Sequence, residues 1–168
     1  MCMLWNKQLS VGNFTVDSEH KHLIALVNGV EQAMKIAMDA RDGTPLKLAL
    51  DQLEEELCRH FRNEEKIAVA LGLPQEPGRQ AQQHMLGDLR FLKTELMAKD
   101  CIWTEAALRH FCEFLEDLVT EHITLKGMPL KAALLAYDYD FWPDPERPSI
   151  APWHGALTTP AAAVFASA

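Results

Sequence analysis

His20, His60, Glu64, His84 and His122 are four imidazoles and a carboxylate, each inside a segment with helical patterning. Side chains of these types are costly to bury in a helical core unless they are hydrogen-bonded or coordinate an ion. His20 precedes Leu23, Ile24 and Val27 by three, four and seven residues, so it continues one apolar face. His60 and Glu64 stand four apart and stack on one side of a helix. His84 leads Phe91 by seven, and His122 follows Leu115, Leu118 and Val119 by seven, four and three. All five donors are therefore expected to face one core, at least one from each of four helices. Imidazole with carboxylate suits iron or zinc, and manganese if further oxygen ligands join. His22 and His110 fall off the stripes and are expected in solvent, while His154 has no assignable role.

The elements that must position these donors are four amphipathic stretches. Asp17 or Ser18 is expected to cap a first helix over 17–41, with Gly43 beyond its end. Thr44-Pro45 opens a second over 45–71, closed by Gly72 and Pro74. A third is expected over 79–98 and a fourth over 104–126, stopped by Gly127 as a left-handed residue and Pro129, with a short fifth within 129–137. An arm, residues 1–16, offers Trp5, Leu9, Val11 and Phe14 for packing. The fold expected is all-α, an antiparallel up-down-up-down four-helix bundle over 1–137. Residues 138–168 are rich in Pro and Ala without a period and read as an extended tail, whose Trp142 and Trp153 could dock on the bundle and through which a protein partner could bind.

The chain has 168 residues, 48% of them hydrophobic and 24% charged, the size and balance of one domain with a full core. A net charge of −8 argues against a nucleic-acid surface and an anionic membrane face. No apolar run reaches the roughly 18 residues of a membrane span, and the first residues do not resemble a signal peptide. Cys2, Cys58, Cys101 and Cys112 form no zinc-type spacing. A cytoplasmic protein without disulfides is expected.

Three segments carry a resemblance. Trp5, Val11-Gly12 and Asp17-Ser18-Glu19-His20-Lys21-His22-Leu23 look like the opening of a bacterial hemerythrin. His60-Phe61-Arg62-Asn63-Glu64-Glu65 is similar to that family's H-F-x-x-E-E motif, and Glu121-His122-Ile123 resembles its fourth-helix motif. The resemblance implies a non-heme diiron centre that binds O₂ or a similar small diatomic for sensing, transport or storage. His20 and His60 would serve one iron, His84 and His122 the other, and Glu64 would bridge. Leu23, Phe61, Leu118, Val119 and Ile123 would line the ligand pocket.

Two positions depart from the family pattern. Gln80 stands where a histidine is expected four residues before His84, and Gly127 where a bridging aspartate is expected five residues after His122. Asp88 would be a substitute carboxylate if it faced inward, although a solvent position is expected for it. The His20/His60 position is expected to hold metal more tightly than the His84/His122 position. The alternative is a degenerate member with one metal or none, acting as a structural or interaction module. An enzyme using peroxide or oxygen at the opened site ranks third, and no catalytic residue is assigned.

Overall fold

The computed structural model describes residues 3–99 and 101–143, apart from the side chains at 125 and 126. It is an all-α four-helix bundle, with no strand among the described residues. The helices are α1 (Phe14–Ala40), α2 (Thr44–Ala70), α3 (Glu76–Met97) and α4 (Glu105–Glu121). A π-helical turn, His122–Lys126, extends α4 and leads into a short α5 (Met128–Leu134). The bundle closes as a ring, with α1 against α2 and α4, and α3 against α2 and α4.

α1, α2 and α4 bury their expected stripes. Leu23, Val27, Val30, Met34 and Ala37 of α1 meet Leu46, Leu50, Leu53 and Leu57 of α2, and Leu108, Cys112, Leu115 and Val119 of α4 complete the core. Val16, Ile67, Leu71, Leu130 and Leu134 form a second cluster with Val11 of the arm, which caps one end. Along α1 and α2 the sequence runs from that cap through His20, and through Glu64 and His60, into the main core. The histidines thus sit between two apolar layers.

Several helix ends differ from expectation. Asn13, not Asp17 or Ser18, caps α1, accepting a hydrogen bond from the Val16 N–H. Asp17 is instead buried within the helix and ties down the arm. It accepts from Ser10 Oγ at 2.5 Å, the Val11 N–H at 2.8 Å and the Tyr139 hydroxyl at 3.1 Å. At the other end of α1 the left-handed residue is Arg41 (φ 51°), and Gly43 becomes the N-cap of α2. Thr104 caps α4 as expected, accepting from the Ala107 N–H.

Of the arm, Leu9 and Val11 are buried, whereas Phe14 is exposed. Residues 138–143 lie against the bundle rather than apart from it, since Phe14 N–H donates to Tyr139 O and Asn13 Nδ2 to Phe141 O. Lys66 Nζ lies 5.8 Å from the Trp142 ring centroid. The remainder of the expected tail, with Trp153 and His154, falls outside the described residues. Among the described residues no helix is long and apolar enough to cross a membrane.

Candidate metal centre

α1, α2 and α4 bring His20, His60, Glu64 and His122 together, with one donor atom from each within 4.8 Å of all the others. All four residues are buried. His60 Nε2 faces His122 Nε2 at 2.9 Å, and Glu64 lies 3.4 Å from each of those nitrogens through its two oxygens. The His20 ring stands 4.8 Å from that of His60 and 5.9 Å from that of His122, centroid to centroid. Donors bound to one ion at about 2.0–2.2 Å cannot be more than about 4.4 Å apart. The observed spread, up to 4.8 Å, exceeds that limit by a few tenths of an ångström, a closure that small side-chain rotations supply, so these four residues could hold a metal ion.

His20 decides whether a metal fits. Both of its ring nitrogens are buried and have no hydrogen-bond partner among the described residues. Leaving such groups unsatisfied costs about 1–3 kcal/mol each. Burial, reinforced by repulsion from His60 and His122, drives its pKa down to about 2, so the ring is neutral with a free lone pair. Trp5 shields it from outside, its ring centroid 6.4 Å away. A neutral imidazole without a partner, surrounded by two more imidazoles and a carboxylate, is what a cation would satisfy.

His60 is held differently. Burial disfavours a charge on it, but Glu64 and Glu19 outweigh that and raise its pKa to about 9. Two imidazole nitrogens at 2.9 Å need a proton between them, which metal binding would displace. The His60 and His122 charges likewise push the Glu64 carboxyl well below its ordinary range, against the effect of burial.

Sequence reasoning missed Glu19. It is buried, lies 3.0 Å from His60 Nδ1 and accepts from Asn63 Nδ2 at 2.6 Å. A carboxylate on the outer nitrogen fixes the tautomer and aim of a ligating histidine. The signal was there to read, because Glu19 stands on the Leu23, Val27, Val30 stripe at spacings of four, eight and eleven.

His84 does not join the cluster. Its side chain is exposed, as are those of Gln80 and Asp88. The buried face of α3 is Met85, Leu89, Leu92 and Leu96, and Phe91, which had anchored the expected register, is 68% exposed. The residues that α3 turns toward the site are Ala81 and Gln82, whose Nε2 lies 3.4 Å from Glu64 Oε2. Gly127 also departs from expectation. Its φ of −74° is not left-handed, and its N–H donates to His122 O to close the π-helical turn. A Cβ at Gly127 would lie 2.7 Å from Ile123 O, so an aspartate there would require the turn to open. His22 and His110 are exposed, as expected, and Glu65 pairs with Arg79 at the surface.

The hemerythrin HHE cation binding domain family matches residues 11–128, most of the chain. The chain belongs to that family. A search of curated proteins returns no match. Against the hemerythrin pattern, α3 supplies neither histidine, and the carboxylate of the fourth helix is absent at Gly127. Among the described residues the donors brought together are three imidazoles and one carboxylate, fewer than the seven ligands of the diiron set.

Proposed function

We propose that this hemerythrin-family protein is a non-heme iron protein holding a single ion at His20, His60, Glu64 and His122, where it binds O₂ or a similar small ligand. The observation that carries the reading is His20, a neutral buried imidazole without a partner, aimed into a cluster of further donors. Three imidazoles and one carboxylate suit divalent iron, and iron so held would supply a redox-active Lewis acid with open coordination positions. The chain's own residues do the rest. Glu19 orients His60, Glu64 offsets part of the ion's charge, and Leu23, Phe61, Val119 and Ile123 keep the surroundings dry. The free thiols of Cys58, Cys101 and Cys112 support a cytoplasmic setting.

A metal-free module is the competing reading, and His20 counts against it, because no group among the described residues satisfies its nitrogens. The test is to express the protein with iron, measure metal per chain, and compare anaerobic and aerated spectra. About one iron per chain is expected, without the charge-transfer bands of an oxo-bridged pair. Two irons per chain with those bands would restore the diiron reading, and none would support the module.

A further inference from the structure

The side of the cluster that α3 leaves open is not filled by any of the described residues. A cavity of about 320 Å³ lies there, and Glu64 and His122 are part of its lining. It therefore reaches two of the four donors directly. Its other walls are largely apolar, from Ala68, Leu73, Pro77, Ala81 and Leu130, with Gln82 as a polar handle beside Glu64. At the rim Arg79 and Glu65 neutralise one another. A volume near 300 Å³ is at the lower end of small-molecule sites, far more than a diatomic needs.

Charge then selects the occupant. Three neutral imidazoles and the Glu64 carboxylate leave a divalent ion with one positive charge among its direct donors, while the Glu19 carboxylate behind His60 is offset by Arg59, 3.8 Å away. In apolar surroundings that charge favours a monoanionic ligand. The cavity walls favour an apolar body behind the anionic head. We propose that this cavity binds a small monocarboxylate with an apolar body, such as an aromatic or short aliphatic acid, with its carboxylate directed at the Glu64–His122 side of the metal site and within reach of the Gln82 amide. The chemistry rests on the single-metal reading above. It adds a second class of ligand that would compete with any diatomic for the same open side.

Cobalt(II)-loaded protein tests this without relying on any activity. Cobalt per chain is measured first, and the visible d–d bands are then followed on titration with benzoate, acetate and benzamide. Benzoate should shift the bands and saturate at concentrations at least about tenfold below acetate, with benzamide inert. Ala81→Phe, which fills the cavity, should weaken benzoate at least about tenfold while leaving cobalt affinity unchanged. Ala81→Leu is the milder variant, and circular dichroism verifies folding of both. Cobalt that binds normally but shows no benzoate response, or the same response to acetate, overturns the cavity proposal alone. Benzoate binding unaffected by both Ala81 variants does so as well. Failure to bind cobalt at all overturns the metal reading, and the proposal with it.

Discussion

α2 and α3 are neighbours of similar amphipathic design, yet only one of them serves the site. α2 buries a stripe along its whole length, from Leu46 through Leu57 to His60, Phe61, Glu64 and Ile67. The stripe of α3 begins only at Met85, and none of residues 76–84 is buried. The site lies at the level of α3's first turns, where Pro77, Gly78, Arg79 and Gln80 face solvent. A helix can donate to a core site only where it is itself buried. α2 gives an imidazole and a carboxylate at that level, and α3 gives a carboxamide and the wall of a cavity.

The sharpest way to break this comparison is to remove a donor from the buried helix. His60→Ala should abolish metal binding, because it deletes a ligand and leaves Glu19 and Glu64 buried without their cation. Breaking a buried charged pair from one side costs about 3–5 kcal/mol. Metal analysis and thermal unfolding of the metal-free protein read the two effects separately. A His60→Ala protein with full metal content would move the centre elsewhere.

Packing should show the same contrast. Leu57→Ala on α2 should lose about 2–5 kcal/mol by opening a core cavity. Phe91→Ala on α3, an exposed site, should stay within about 0.5 kcal/mol. Denaturant midpoints would decide this, and a large cost at Phe91 would mean that α3 sits in another register.

Glu19→Gln probes the support of the site rather than its donors. Loss of a carboxylate behind a ligating histidine costs about 10–100-fold in metal affinity. The buried amide keeps the size and can still bond His60, so folding should be little changed. A competitive chelator titration in which Glu19→Gln matches the native protein would remove Glu19 from any positioning role.

How much of this was legible follows the same divide. α1, α2 and α4 carry continuous apolar stripes, so His20, His60, Glu64 and His122 could be placed inward from spacing alone, and they are. On α3 the aromatic Phe91 suggested a register that Leu89, Leu92 and Leu96 overrule. One residue is about 100° of helix, enough to carry His84 from core to solvent. Asp17 had the composition of a cap, but its buried bonds to the arm depend on residues the local sequence does not bring near, notably Tyr139. Nor did spacing reveal that the chain turns as a π-helix at His122, since Gly127 reads locally as an ordinary helix stop.

Rebuilding the missing side of the site tests the register from the other direction. Gln82→His puts an imidazole where α3 meets Glu64, and should tighten metal binding by about tenfold or supply part of a second position. No gain in affinity or stoichiometry would show that α3 stands too far out to donate.

The smallest effects should come from the residues that sequence spacing favoured. Gln80→His would restore the histidine that the family pattern places there, but Gln80 is exposed and hydrogen-bonds Glu76 on its own helix. A histidine there would meet solvent, and metal content should not rise. His84→Ala removes an exposed side chain with no donor role, so stability should change by no more than about 0.5 kcal/mol and metal affinity not at all. Both substitutions sit on the turns of α3 that flank Gln82, so they control for any general disturbance of the helix. If His84→Ala lowers metal content while Gln82→His leaves it unchanged, α3 in solution is rotated by one residue and His84 faces the centre after all. If both behave as the buried stripe dictates, the loss of the third-helix histidines is a property of the fold itself.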